Sequence, residues 1–301
     1  MQKPIALLRA RKLALAVALL GLPLLAFSYT FRVPVSGLTS TTASVVTPIG
    51  TLNFTTCGTT GRTGPTLAAC QAAYISQPNI MASLAMRGYQ GYQEWTVPAT
   101  GSYTITAAGA GGGSASIYGY SGGGGAIMRG TVGLQQGDVL QIVVGQPGIA
   151  AQALYGVYQT DGGGGGGSFV VLKAGSVPLV VAGGGGGSNY VGASLAYGNG
   201  GAGVTTTTGG VSPPGKSENT QAGTGGINGN GATTGYGEPG AGFLSNGGLP
   251  VPSSNFTVAL GFNAGSVGGT STNATPNRYG GFGGGAGAHG LNCIGGGAGG
   301  G

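Results

Sequence analysis

Charged residues are scarce in this sequence, and the residue types that carry most catalytic and metal chemistry are scarcer still. Among 301 residues there are 5 acidic side chains, 11 basic ones, one histidine and three cysteines. The histidine, His289, lies among glycines, with no base–orienter pair readable around it. No Cys-x-x-Cys spacing marks a metal site. The sequence therefore predicts a protein that is not an enzyme and that has no catalytic, cofactor-binding or metal-binding residues.

A targeting segment accounts for much of the net positive charge. Four of the basic residues lie in the first twelve positions, and an apolar run over 13–27 follows them, with small residues at Ala26 and Ser28. This pattern predicts a signal peptide over 1–28, because the run is shorter than the roughly 20 residues that span a bilayer. The alternative is an uncleaved signal anchor, which would be the protein's one membrane contact. Either segment implies export to the extracellular space or cell surface. The remaining basic residues are scattered, so no nucleic-acid surface is predicted.

Glycine is abundant where other residue types are missing. All but nine of the 72 glycines follow residue 108, in runs that break the period of three that collagen requires. Ordering a glycine costs roughly 0.5–1 kcal/mol more than ordering an alanine, so an ordered region needs dense backbone hydrogen bonding. Polyproline II helices of glycine satisfy this need, because their backbones can approach closely. A disordered tract is the alternative, although the low charge and 40% hydrophobic content favour ordered packing.

Alternating and apolar segments between the glycine runs predict β-strands. A short helical turn is expected over 66–74. Trp95, the sole tryptophan, is expected in a core that it shares with Val97, Tyr103 and Ile105. The predicted strands cover residues 31–35, 49–54, two segments within 94–107, 126–132, 139–146, 168–173, 177–182 and 256–262. The strands over 168–173 and 177–182 form a hairpin with a glycine run at each end.

Two cysteines flank a Gly/Pro-rich loop in this exported chain. Cys57 and Cys70 are therefore predicted to form a disulfide, and a metal site is the weaker reading. Cys293 is left without an assigned partner. Glycosylation sequons occur at Asn53, Asn255 and Asn273, the last followed by a proline, and they matter only in a host that glycosylates.

One stretch matches a nucleotide-binding pattern by letter alone. Residues 210–217 read Gly-x4-Gly-Lys-Ser, but Pro213 and Pro214 have no N–H groups with which to hold a phosphate. No hydrophobic strand precedes the stretch and no helical pattern follows it. We therefore expect no nucleotide binding here.

Several motifs in a fixed order carry a family resemblance over about residues 50–300. The motifs are Asn53-Phe54-Thr55-Thr56-Cys57-Gly58, Gly64-Pro65-Thr66 with Cys70, Trp95-Thr96-Val97-Pro98-Ala99-Thr100, Val144-Gly145-Gln146, Gly167-Ser168-Phe169-Val170, Val177-Pro178-Leu179 and Gly280-Gly281-Phe282-Gly283. They resemble the extracellular glycine-rich region of the anaplastic lymphoma kinase and leukocyte tyrosine kinase receptors and of its bacterial and invertebrate relatives.

The resemblance implies an all-β fold with polyglycine: a tumour-necrosis-factor-like β-sandwich with an inserted bundle of glycine-rich polyproline II helices. It also implies a disulfide between Cys57 and Cys70. In the receptors this region binds a cytokine through surface residues, several of them acidic. Those residues have no counterparts here, so the ligand-binding residues are unknown. The sequence also departs from the family pattern, since it has no kinase motifs and ends in a glycine block at 295–301 without a closing strand.

The expected organisation has three parts. A signal peptide or anchor over 1–28 precedes N-terminal β segments over 29–108. A glycine-rich domain with interleaved strands follows over 109–301, and it is either truncated at its C-terminus or has its sandwich completed in a different way. The predicted function is a secreted or cell-surface binding or structural module whose partner is an extracellular protein or cell-surface ligand. The alternative is a fragment of a receptor-tyrosine-kinase-like ectodomain that binds a protein ligand, with the kinase outside this chain.

Overall fold

A computed structural model describes residues 50–115, 119–150, 153–154, 158–159, 161–188, 198–209, 226–233, 239–249, 256–271 and 278–288. The predicted signal peptide, the strand over 31–35, the motif over 210–217 and the final glycine block lie outside these ranges. The described part is mainly strand with two short helices, which agrees with the predicted all-β class.

The elements are short and follow one another closely. The helices are α1 (Leu67–Ala73) and α2 (Pro78–Met81). The strands are β1 (Gln93–Thr96), β2 (Gly101–Ala108), β3 (Ile127–Leu134), β4 (Val139–Val143), β5 (Ala153–Leu154), β6 (Tyr158–Gln159), β7 (Ser168–Leu172), β8 (Val177–Ala182), β9 (Phe256–Thr257), β10 (Thr270–Ser271) and β11 (Arg278–Tyr279).

The predicted helical turn is confirmed as α1. Thr66 caps its N-terminus, and the Thr66 hydroxyl accepts a hydrogen bond from the Ala69 N–H at 3.2 Å. This satisfies one of the N–H groups that a helix start leaves unpaired. Cys70 lies in the middle of α1 and is fully buried, so the helix presents its sulfur to the chain segment before it.

The strand predicted over 49–54 is wrong for the residues that the structure describes. Residues 50–54 pair with no strand, because side chains meet the neighbouring backbone groups. The Tyr74 hydroxyl accepts from the Thr55 N–H at 2.7 Å, and the Gln93 amide donates to the Thr55 carbonyl at 2.8 Å. Phe54 packs edge-on against Tyr74 and Trp95. Leu52 and Phe54 are half-buried, and the side-chain hydrogen bonds to Thr55 take the place of strand pairing beside them.

The largest sheet has four antiparallel strands in the order β1-β4-β7-β8. Strands β7 and β8 form the predicted hairpin, with a register shift between Val170 and Val171. Strand β4 occupies the interior beside β7, and Trp95 of β1 stands opposite Leu140 of β4. The sheet is therefore assembled from segments separated in the chain by a glycine run.

A two-stranded sheet of β2 and β3 shares a hydrophobic cluster with this sheet. Trp95, Val97, Leu140, Ile142 and Val170 are buried there, and Tyr103, Ile105 and Val132 of the two-stranded sheet pack against them. The prediction that the side chains at 95, 97, 103 and 105 share one core is confirmed. Strands β3 and β4 are consecutive and joined by a turn, yet they pair with different sheets. The turn therefore carries the chain from one sheet to the other.

A glycine run lies at the centre of the described structure. Residues 161–167 are all buried, and the N–H groups of 162–167 donate in rotation to three neighbouring backbone segments. The donor–acceptor pairs, in three sets, are Gly162 to Ser188 with Gly165 to Gly185, Gly163 to Ile149 with Gly166 to Gln146, and Gly164 to Ala286 with Gly167 to Gly283. Every third residue thus meets the same neighbour, which provides the backbone pairing that ordered glycine needs.

The strand predicted over 256–262 is shorter than expected. Strand β9 covers two residues and joins β10 and β11 in a three-stranded sheet. The chain then forms a single 3-10 turn at Phe262–Ala264, where Phe262 is buried against Tyr92, Phe169 and Phe243. Burial of that ring among aromatic partners, and not strand pairing, decides the local conformation.

Candidate binding surface

The structure places some of the predicted site residues and leaves others outside its described ranges. Cys57 and Cys70 form the predicted disulfide, with their Cα atoms 4.8 Å apart. Asn53 is exposed, as a glycosylation acceptor must be. Asn255, Asn273, His289 and Cys293 lie outside the described residues. The disulfide therefore stabilises the domain, and Asn53 is accessible for glycosylation. These residues do not form one site.

An aromatic cluster joins the four-stranded sheet to the glycine-rich segments. Phe243 and Phe262 stack with ring centroids 5.1 Å apart, and Tyr92 lies 4.9 Å from Phe262. The Tyr92 hydroxyl donates to the Phe262 carbonyl and lies 2.7 Å from the Ser266 hydroxyl. Burial raises the pKa of the Tyr92 phenol well above its ordinary value, and the Ser266 hydroxyl only partly opposes this. Tyr92 is therefore a neutral donor that fixes the 262–266 turn.

A cleft of about 340 Å³ opens on the outer side of this cluster. Its lining residues are Leu244, Ser245, Asn246, Gly261, Asn263 and Ala264. The side-chain oxygen of Asn246 accepts a hydrogen bond from the Gly261 N–H at 2.9 Å. The side-chain amide of Asn263 donates a hydrogen bond to the Phe243 backbone carbonyl at 3.3 Å. These bonds tie the two walls together. The cleft adjoins the aromatic cluster, since Phe243 and Phe262 are next in the chain to its lining residues Leu244, Gly261 and Asn263.

The rim of the cleft combines exposed apolar and hydroxyl groups. Leu244 is 55% exposed and Tyr89 is 47% exposed. The Tyr89 hydroxyl donates to the Asn263 carbonyl at 3.3 Å, which places the ring beside the cleft. None of the residues that line the cleft is charged. Such a surface suits an uncharged, partly apolar partner, because tyrosine and asparagine supply contact area and adaptable hydrogen bonds.

The buried charges lie elsewhere. Glu94 pairs with Lys173, and the fully buried Arg278 lies near the buried Asp161. Burial lowers the pKa of Arg278, and the Asp161 charge opposes that shift. Among the described residues, no group of three histidine, cysteine or acidic side chains could hold a metal ion. Within the same residues, no helix has the length and apolar character required to cross a bilayer.

Sequence reasoning did not find the cleft residues. Tyr89, Leu244 and Asn263 come from three distant segments, and no local motif links them. Each is unremarkable in its own surroundings, since exposed single apolar residues are common on protein surfaces. The Glu94–Lys173 pair was also missed, because the two residues lie far apart in the sequence and no local motif links them. Only the packing of the aromatic cluster brings the cleft walls together.

These observations define the class of the protein as a mainly β, disulfide-bonded domain with a buried glycine run and an uncharged cleft. Comparison with known proteins adds a relative. A stretch of 110 residues, 35% of this chain, is 38% identical to the leukocyte tyrosine kinase receptor of Mus musculus. The match spans 12% of that receptor and falls in a part other than the kinase. No family model matches the chain. The chain thus contains a receptor-like region, and its disulfide fits an extracellular protein.

Proposed function

We propose that this chain is an exported, non-catalytic module of the receptor-ectodomain type that binds an extracellular protein or cell-surface ligand. The observation that carries the proposal is the 38% identity over 110 residues to a receptor, outside its kinase. The Cys57–Cys70 disulfide supports an oxidising compartment. The predicted signal segment over 1–28 and the three-part organisation belong to the same proposal.

We further infer the finer fold that the family resemblance implies. Two sheets that share the Trp95 cluster support a β-sandwich. The three-residue rotation of hydrogen bonds along 162–167 supports polyproline II helices, which have three residues per turn. Circular dichroism and hydrogen exchange on the purified chain test this assignment. A polyproline-type spectrum with protected glycine amides is expected, whereas rapid exchange throughout the glycine runs would contradict it.

The cleft beside Leu244 is the surface on which we place the partner. The exposed Leu244, with the exposed Tyr89 bonded to Asn263 beside it, provides the kind of anchor on which binding energy concentrates. The absence of charge from the lining residues favours an apolar side chain flanked by backbone amides. A protein partner supplies that chemistry more readily than a highly charged polymer does.

The proposal is tested by binding of the fluorescently labelled full chain to intact cells of the source organism, with and without protease treatment of the cells. Saturable binding that protease treatment removes is expected. Leu244→Asp should weaken it about tenfold or more, because it introduces a charge into an apolar contact. The matched control is Ile75→Asp, at a position 81% exposed and outside the cleft lining.

Three outcomes would count against the proposal in different ways. No saturable binding to any cell would remove the binding function. Binding that survives protease treatment would remove the protein ligand. Equal binding by both aspartate variants would leave the function but remove the cleft from it.

A further inference from the structure

A buried carboxylate in the four-stranded sheet is shared by an amine and a carboxamide. The Lys173 Nζ lies 2.6 Å from the Oε1 of Glu94. The same oxygen accepts a hydrogen bond from the Gln141 Nε2 at 3.1 Å. The Glu94 side chain is only 3% exposed, whereas the Lys173 side chain is 39% exposed. Two nitrogen groups that could react with each other therefore converge on one desolvated oxygen.

Two strands and the turn that follows a third bring these three groups together. Glu94 of β1 stands directly opposite Gln141 of β4, and Gln141 stands opposite Val171 of β7. Lys173 is the first residue after β7, where the chain enters a turn with φ −60° and ψ −39° at Lys173. The Lys173 N–H donates to the Val139 carbonyl at 2.9 Å, which fixes the turn to β4. Two paired strands therefore hold Glu94 and Gln141, and the turn after β7 supplies Lys173.

We propose that Lys173 and Gln141 are joined by an intramolecular isopeptide bond, with Glu94 as the proton-transfer group. Glu94 takes a proton from the Lys173 ammonium, and the freed amine lone pair attacks the Cδ of Gln141. A new Nζ–Cδ bond forms, and the Cδ–Nε2 bond breaks. Glu94 transfers to Nε2 the two protons that the lysine Nζ loses. One ammonium ion leaves for each bond formed. The carboxylate is regenerated, and no oxidant, reductant or cofactor takes part.

The geometry favours this step in two respects. Both contacts to Glu94 fall within the roughly 2.6–3.2 Å reach required of a general base. Holding the amine and the carboxamide at one carboxylate of the same chain makes the reaction intramolecular, which removes much of the entropic barrier of amide exchange. Because the amine and the amide share one oxygen, a single carboxylate can accept the first proton and return it to the leaving nitrogen.

The experiment is peptide mass mapping of the full chain purified from the cells that export it. Trypsin is unsuitable alone, because no lysine or arginine lies between Arg129 and Lys173, so both reacting residues stay on one peptide. Chymotrypsin cuts after residues such as Phe169 and separates them. The expected product is a branched pair of peptides, lighter than their sum by one ammonia and stable to boiling with a thiol reductant.

Variants separate the bond from a simple ion pair. Lys173→Arg keeps the charge but supplies no primary amine, and Glu94→Gln removes the proton acceptor, so both should lose the branched product entirely. Lys216→Arg is the matched control and should retain it. Native emission from the buried Trp95 verifies folding of each variant. Recovery of Lys173 and Gln141 in linear peptides from the folded wild-type chain overturns the proposal, as does a product lighter by water that joins Lys173 to Glu94. Persistence of the branched product in Glu94→Gln removes the role of Glu94.

Discussion

Replacement of Gly166 by alanine is the sharpest test of the glycine packing. Gly166 lies in the central run and is buried. A methyl carbon added there would overlap the carbonyl oxygen of Phe282, well inside the 3.0 Å that real Cβ contacts respect. The obstructing atom is backbone, so no side-chain rotation can relieve the overlap. One of the two backbones must move.

The expected magnitude follows from the hydrogen bonds at this contact. The Gly166 N–H donates to Gln146 at 3.0 Å, its carbonyl accepts from Ala110 at 2.9 Å, and the Gln146 N–H donates to Phe282 at 2.8 Å. A buried polar group left without a partner costs about 1–3 kcal/mol. Opening two of the three bonds therefore destabilises the protein by roughly 2–6 kcal/mol. The lower entropy of alanine in the unfolded chain offsets only about 0.4–1 kcal/mol.

The assay is denaturant unfolding followed by the fluorescence of Trp95, which is the sole tryptophan and 3% exposed in the core. Gly124→Ala is the matched control, because Gly124 is an exposed glycine in another run and a methyl there meets no heavy atom within 4 Å. Its free energy of unfolding should stay within about 1 kcal/mol of wild type. Equal slopes with denaturant are required before the midpoints are compared.

The reasoning fails if Gly166→Ala and Gly124→Ala unfold at the same denaturant concentration as wild type. That result would mean that the central run does not pack against the Phe282 segment. A loss of stability in both variants would point instead to a general intolerance of the runs to side chains, unrelated to the contact.

Four further predictions concern individual side chains and the disulfide. Tyr92→Phe should lower the free energy of unfolding by about 1–3 kcal/mol, because the Phe262 carbonyl loses its buried donor; an unchanged denaturant midpoint would contradict this. Burial raises the folded pKa of Tyr92 above the unfolded value of about 10, so its contribution is complete below about pH 10 and declines above it; an unfolding titration should show a shallower alkaline decline in Tyr92→Phe. Replacing Cys57 and Cys70 together by serine should cost about 3 kcal/mol and abolish the effect of a thiol reductant on the unfolding midpoint. In a glycosylating host, the exposed Asn53 should carry a glycan, seen as a mobility shift that Asn53→Gln removes.

Local patterns were sufficient for much of the fold. The alternating segment around Trp95 and Ile105 correctly predicted strands with a shared core, because alternation directs every second side chain to one face. The apolar pair of segments around the turn at 174–176 correctly predicted the β7–β8 hairpin. The cysteine spacing, read in an exported chain, led to the disulfide. Each of these features depends on residues close together in sequence.

Strand partners were not readable in the same way. Strands β3 and β4 follow one another through a short turn, but they belong to different sheets, and their apolar side chains share one hydrophobic cluster. The segment at 50–54 has a strand-like composition, but the Tyr74 and Gln93 side chains bind the adjacent backbone. Pairing depends on competition among distant segments, which a local pattern does not record.

The sequence alone determined that glycine had to be ordered by backbone contact if it was ordered at all. Scarce charge and a 40% hydrophobic content argue against a solvated tract. Only the tertiary structure decided which backbones meet: the run at 162–167 bonds in rotation to segments near 146–149, 185–188 and 283–286. A glycine has no side chain to encode a partner, so identical runs are indistinguishable in the sequence. Their partners are chosen by the strands and rings that anchor their ends.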